Sequence, residues 1–252
     1  STKFTLTLCC FVYSLNLSSS KMARKKKLVV LTGAGISAES GISTFRDTNG
    51  LWENHAIDDV ATPQGWQKNP GLVLEFYNQR RAQLAEVVPN EGHHLLKDFE
   101  KYFDVTIITQ NVDNLHERAG SNDIIHLHGE LTKARSSVSA SMVYEIGTKP
   151  IKLGDKCKKG SQLRPHIVWF GESVPMIEIA TEMTAMADIL IIVGTSMQVY
   201  PAAGLIDCVG KNVPIYIIDP NKPNMSLRPN MTFIEEIGSV GLKQLFDKLT
   251  KK

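Results

Sequence analysis

The chain has 252 residues, 42% of them hydrophobic, enough to bury one large core with an insertion or two small ones. A formal charge of +2 implies no broad basic surface for nucleic acid. The four cysteines (Cys9, Cys10, Cys157 and Cys208) include no CxxC pair, which argues against a disulfide framework and a four-thiolate zinc site and makes a reducing, cytoplasmic setting the expectation.

Residues 4–17 are mildly apolar but too short to span a bilayer, so no membrane association is expected. Only Lys3 precedes them, and Ser18–Lys21 offers no A-x-A cleavage site. Residues 1–21 therefore read as a leader or artificial extension outside the fold, the plain alternative being an extra helix or strand. Leu28–Thr32 is a short β-branched run ending at Gly33 and predicts a fully buried strand, followed by a loop and a helix. Residues 43–69 are irregular and predict a mobile loop with short helices.

Pro70 opens a predicted helix to about Val87, since proline suits a first turn. Leu74, Tyr77, Arg80 (or Arg81) and Leu84 fall near one of its faces. A second helix is predicted over 90–102 with Leu95, Leu96 and Phe99 inward. Strands follow at 105–109 and 124–127, with a short helix at 114–119 closed by Gly120 between them. Residues 131–165 are rich in Ser, Lys and Gly and read as a small inserted module. The core is expected to resume at His166. A helix over 176–187, a strand over 189–193, a helix over 201–210, a strand over 215–218 and a final helix over 240–249 complete the chain. Short apolar strands alternating with helices predict an α/β fold: a Rossmann-like, mostly parallel sheet covered on both faces.

Three strand exits carry polar side chains, where such a sheet binds ligands. Gly33-x-Gly35-x-x-Ala38 fits a dinucleotide loop, though glycine turns after strands are common. Residues 46–53 read as loop where a dehydrogenase would end a second strand in an acidic residue, so cofactor binding is expected rather than hydride transfer. Gly194-Thr195-Ser196 is a second candidate loop, which alone would be a plain turn. Gln110, Asn111 and Asp113 follow a buried strand; they either bind an amide or position water, or they cap the next helix. His128, ahead of Gly129, is placed for general-base chemistry near neutral pH. His126 shares its strand face, and His116 is expected to cap or pack. His55, His93, His94 and His166 read as structural or surface residues. G-x-S-x-G and H-E-x-x-H are absent from the sequence.

Taken together and in order, Gly33–Ile42 (GAGISAESGI), Thr44-Phe45-Arg46, Thr109–His116 (TQNVDNLH), His128-Gly129-Glu130 and Gly194-Thr195-Ser196 resemble the sirtuin family. Any one motif is weak, but the ordered set is specific and runs from about Lys27 to the C-terminus. The resemblance implies an NAD-dependent protein-lysine deacylase. Residues 22–252 would form its catalytic domain: a core of about 22–42, 88–130 and 166–252, a cofactor loop and helical module at 43–87, and a small module at 131–165. NAD would lie across Gly33, Ala34, Gly35, Ala38 and Gly194, Thr195, Ser196. Thr44, Phe45, Arg46 and Trp52 would belong to the cofactor loop. Gln110, Asn111 and Asp113 would shape the nicotinamide and ribose pocket, the last two with a catalytic part. The acyl oxygen would attack C1′ as nicotinamide leaves, and His128 would act as base on a ribose hydroxyl. The products would be nicotinamide, free lysine and O-acyl-ADP-ribose.

Val168, Phe170 and Gly171 lie in a segment, 168–172, that resembles the strand pairing with a substrate peptide. Tyr77-x-x-Arg80 resembles the pair that marks sirtuins favouring acidic acyl groups; three residues apart on a helix, both side chains reach one spot. The plain reading of that helix is a packed Tyr and a solvated Arg. Two departures stand out. Ser136 and Ser137 stand where the family's first zinc-binding cysteine pair would begin, and only Cys157 lies near the second, so no zinc is expected and packing alone would hold the module. Ile217 would stand where an Asn usually meets the adenosine ribose, leaving Asp219 to take over, with Gly238 near adenine. Rival readings are a protein ADP-ribosyltransferase and a non-catalytic NAD or ADP-ribose sensor. Acyl-lysine proteins are the expected partners; oligomeric state and natural targets are not legible.

Overall fold

The computed structural model describes residues 24–43, 51–52 and 55–251, including their side chains except at 51 and 52. Residues 1–21 and Thr44, Phe45 and Arg46 lie outside the described residues. In chain order, β1 (Lys27–Thr32) leads into α1 (Ala34–Ala38). A two-residue hairpin, β2 (Leu51–Trp52) and β3 (His55–Ala56), precedes three helices: α2 (Ile57–Val60), α3 (Pro63–Lys68) and α4 (Pro70–Gln83). Next come α5 (Glu91–Phe99), β4 (Asp104–Thr109), α6 (Leu115–Arg118) and β5 (Ile124–His126). A small antiparallel sheet follows, made of β6 (Gly129–Ser136), β7 (Ser139–Glu145) and β8 (Leu163–Ile167). The chain then forms α7 (Ile177–Ala185), β9 (Ile189–Val193), a 3-10 helix (Ala202–Asp207), β10 (Ile215–Ile218), β11 (Met231–Ile234) and α8 (Gly238–Thr250).

The main sheet has six parallel strands in the order β11-β10-β9-β1-β4-β5. The chain moves outward from β1 through β4 to β5, then returns to the other side of β1 with β9. The reversal of direction lies between β1 and β9, and there the loops at Gly33 and Gly194 leave adjacent strands. Each central strand is buried on both faces. Leu28 and Val30 pack with Leu96, Phe99 and Leu245 on one side; Val29 and Leu31 pack with Ala180, Leu205 and Ile217 on the other. Double burial is why these strands read as continuous apolar runs.

Several boundaries depart from the sequence expectation. Ala202–Asp207, inside the helix expected over 201–210, is a 3-10 helix rather than an α-helix, consistent with Pro201, Gly204 and Gly210 lowering α-propensity there. β11 was not expected. The small sheet begins at Gly129 and takes in His166, so His166 belongs to it and not to the core. Packing alone does not hold this module to the helices. Arg81, fully buried on α4, donates from Nε to the Leu131 carbonyl at 2.7 Å and from Nη1 to Asn78 Oδ1 at 2.7 Å. Asn78 in turn donates to the Ile151 carbonyl and accepts from its N–H. Among the described residues, no helix is long and apolar enough to cross a membrane.

α5 and α6 bring two buried imidazoles together, His93 and His116, with ring centroids 4.9 Å apart. His93 Nδ1 accepts the Asn90 N–H, which closes a capping box. Thr32 Oγ1 donates to Thr109 Oγ1, so His116 Nε2 is the donor to Thr32 Oγ1 at 3.1 Å. His93 Nδ1, as an acceptor, carries no proton, and burial keeps both rings neutral at neutral pH. Burial, helped by neighbouring His94, lowers the His93 pKa to about 4, and burial also holds His116 well below its ordinary value. The folded state then binds fewer protons than the unfolded chain as pH falls below the ordinary histidine value. Stability is expected to drop by about 3 kcal/mol between about pH 6.5 and pH 4 from His93 alone. Urea melts across that range check this: the decline should shrink in His93→Gln, and a flat wild-type profile would refute it.

Candidate active site

The loops that end β1, β4 and β9 meet at the C-terminal edge of the main sheet. Gly35 N–H donates to the Gly194 carbonyl at 2.8 Å, and a Cβ at Gly35 would lie 2.6 Å from Gly194 Cα. Gly194 itself has φ +67°, in the left-handed region. Loop-to-loop contact is thus a physical reason for both glycines, beyond any close approach of a phosphate. Gln110 bridges the second pair of loops, donating from Nε2 to Thr195 Oγ1 at 3.0 Å.

Asn111 and Asp113 are buried in a short polar chain. Asn111 Nδ2 donates to the Gly33 carbonyl and to Ser37 Oγ, both at 3.1 Å, and Ser37 Oγ donates to Asp113 Oδ2 at 3.0 Å. Asp113 Oδ1 accepts the Leu115 N–H, so the helix-capping reading of this turn holds as well. Burial raises the Asp113 pKa, opposed by the Leu115 and Ser37 donors. Asn111 spends both amide hydrogens on the protein, leaving its carbonyl oxygen as the group able to meet a ligand or water. Ser37, at the centre of this chain, was not singled out in the sequence; a small polar residue inside the glycine loop was the signal for it.

His128 follows β5 and lies directly beside this chain. Its Nδ1 pairs with the Gln110 carbonyl at 3.1 Å. A carbonyl can only accept, so Nδ1 carries the proton and Nε2 keeps its lone pair. Burial lowers the His128 pKa, partly offset by the Gln110 carbonyl, and the ring is neutral at neutral pH. His126 is different. Its Nδ1 faces the Asn111 carbonyl at 3.3 Å and its Nε2 faces Glu117 Oε1 at 2.6 Å, so satisfying both acceptors requires the imidazolium. Burial alone would lower its pKa, but the Glu117 carboxylate overrides this and raises it. Glu117, His126 and Glu130 place ligand atoms within 4.8 Å of one another, with the Lys133 ammonium already 2.6 Å from Glu130.

A cleft of about 500 Å³ opens over these loops. Its walls include Gly33, Ala34, Gly35, Ala38, Gln110, Asn111, Asp113, His128, Gly194, Thr195, Ser196, Asp219 and Gly238. Tyr77, Arg80, Val168, Phe170 and Gly171 line the same cleft. Of the sequence-derived site residues, only Thr44, Phe45 and Arg46 fall outside the described residues, and nothing is described of the Trp52 side chain. Two expectations need correction. Residues 168–172 form no strand: Val168 N–H donates to the His128 carbonyl, Phe170 N–H to the Ala61 carbonyl, and a turn follows at Gly171. Ile217 is a core residue of β10, paired with Ile192 and Phe233; the first position beyond that strand, Asp219, reaches the cleft. Trp169 and Tyr200 line the cleft without having been singled out.

Comparison with known proteins places this geometry. A family model described as "Sir2 family" matches residues 33–201. The chain belongs to the Sir2 family. It is 55% identical over 224 residues to an NAD-dependent protein deacylase of Helicobacter pylori, covering 89% of this chain and 97% of that one. It is 54% identical over 225 residues to one of Bacteroides thetaiotaomicron, covering 87% and 96%. Among solved structures, a Sir2 homolog–NAD complex superposes with a TM-score of 0.81 at 37% identity, covering 90% of both chains. The cleft of this Sir2 chain lies at the β1/β9 reversal, where open α/β sheets bind ligands.

Proposed function

We propose that this Sir2 chain is an NAD-dependent protein-lysine deacylase that removes succinyl and malonyl groups in preference to acetyl. The carrying observation is that the glycine loops, the neutral imidazole of His128 and the Tyr77–Arg80 pair all line one cleft. The relatives named NAD-dependent protein deacylase support the first half of this reading. Tyr77 and Arg80 support the second.

The residues present fit NAD. The Gly33, Ala34, Gly35 and Ala38 loop and the Gly194, Thr195 and Ser196 loop are free of bulk and would hold the phosphates. Asp219 and Gly238 would meet the adenosine end, and Thr44, Phe45, Arg46 and Trp52 would close over the cofactor. When bound, NAD supplies a labile glycosidic bond whose cleavage releases nicotinamide and leaves ADP-ribose to take the acyl group. Asn111, through its carbonyl oxygen, and Asp113, through Ser37, orient the ribose side of the pocket. His128 takes a proton at Nε2, because Nδ1–H is committed to Gln110. Trp169 and Ile167 exclude water from the acyl-lysine channel. Phe170 and Gly171 would guide the substrate peptide at the rim. Arg80 would pair with the acyl carboxylate, and Tyr77 would add its hydroxyl.

Matched acetyl-, malonyl- and succinyl-lysine peptides on one scaffold test the reading. Nicotinamide release with O-acyl-ADP-ribose as product, faster for the acidic groups, is expected. ADP-ribose fixed to protein would favour a transferase instead, and no nicotinamide release would favour a sensor.

We also propose that the module carries no zinc. Cys157 donates from Sγ to Ser136 Oγ at 3.4 Å, a thiol–hydroxyl contact where a metal would need thiolates. Metal analysis of the purified protein is expected to find no stoichiometric zinc; one zinc per chain would overturn this. The free Cys157 and Cys208 fit a reducing, cytoplasmic setting.

A further inference from the structure

Behind the proposed acyl end of the cleft lies a layer of side chains whose hydrogen bonds have a direction. Trp169 is buried, and its indole Nε1–H donates to the Tyr77 hydroxyl oxygen at 3.1 Å. The two rings lie 6.5 Å apart at 34°. Tyr77 is itself fully buried, and burial pushes its pKa far above the ordinary phenol value, so its hydroxyl keeps its proton. A phenol oxygen that accepts one N–H has that lone-pair direction taken, which restricts where its own hydrogen can point.

The indole is a fixed point. The Trp169 main-chain N–H donates to Glu172 Oε2 at 2.8 Å. The Arg164 guanidinium lies over its ring at 3.2 Å from the centroid. Glu172 holds Arg164 at 2.7 Å and Arg135 at 3.0 Å, so the support reaches from the cleft into β6 and β8 of the small sheet.

We propose that Trp169 is a specificity-determining positioning residue: its indole N–H sets the direction of the Tyr77 hydroxyl and thereby its contact with an acidic acyl group. This rests on the acidic-acyl reading above. Arg80 supplies the charge, and Trp169 supplies the angular precision of the second donor.

Trp169→Phe keeps an aromatic ring and removes the N–H. Desuccinylation kcat/KM is expected to fall roughly tenfold, mainly through KM, and deacetylation about twofold, in keeping with one hydrogen bond. Tyr77→Phe added to Trp169→Phe should cost little more than the worse single variant, since both remove the same contact. Equal losses on both acyl groups, or losses that multiply in the double variant, would overturn the proposal. Benzothienylalanine at position 169 replaces the N–H by sulfur in a bicycle of the same shape and gives the same readouts should the phenylalanine variant not fold. A wild-type enzyme without an acidic-acyl advantage would instead defeat the underlying reading and this inference with it; an intact advantage left untouched by both Trp169 variants would defeat this inference alone.

Discussion

His128→Ala is expected to lower kcat by about a thousandfold or more while leaving NAD binding largely intact. One proton decides this. The Gln110 carbonyl can only accept, so the His128 Nδ1–H is committed to it and Nε2 stays basic. Burial lowers the pKa of the ring, so this base remains unprotonated at neutral pH and for some distance below it. The acid limb of the pH–rate profile should therefore lie below the ordinary histidine value and vanish in the variant. Alanine leaves the Gly35–Gly194 and Gln110–Thr195 contacts in place, and these shape the dinucleotide half of the cleft. Single-turnover rates and calorimetric NAD binding on the same preparations separate the two effects. A variant turning over within about tenfold of wild type would remove His128 from this role.

Arg80→Met is expected to cut desuccinylation kcat/KM by about 30- to 100-fold, roughly 2–3 kcal/mol, as for a lost charge-assisted pair. Deacetylation should change by no more than about threefold, since a methyl group presents nothing for a guanidinium to bond. The arginine is held ready: its guanidinium carbon sits 3.7 Å above the Phe76 ring centroid, and Nη1 donates to the Phe76 carbonyl at 2.7 Å. Ordering costs are thereby met before any substrate arrives. Arg80→Lys should fall between, keeping the charge and losing the planar fork. Peptides differing only in the acyl group, assayed at one salt concentration, provide the comparison. Equal losses on succinyl and acetyl substrates would remove Arg80 as an acyl reader.

Strands β1, β4, β9 and β10 were legible because burial on both faces writes them as short apolar runs closed by Gly33, Gln110, Gly194 and Asp219. β11 was not, since MTFI at the sheet edge is partly exposed and only four residues long. β7 shows most of its residues to solvent, so SASMVYE presents no buried apolar face to read. The choice between Arg80 and Arg81 could not be made from helical spacing, as neighbouring positions differ by about 100° around α4 and either fits a broad face. Tertiary contacts decide it: Arg81 turns inward to Leu131 and Arg80 turns to the cleft. Ile217 and Asp219 share strand parity, so only knowing that β10 stops at Ile218 separates a core side chain from one at the rim. Trp169 lay hidden because the preceding strand, β8, pairs in the small sheet and ends two residues earlier.

One joint in the chain carries more than its length implies. β5 ends at His126 in the large sheet, β6 begins at Gly129 in the small one, and Leu127 and His128 are all that connect them. Gly129 has φ +85°, and a side chain there would collide with the His166 carbonyl oxygen, so the turn is sharp and tightly backed. His128 therefore sits on the two-residue joint between the sheets, and the proposed base would move with any displacement of one sheet against the other.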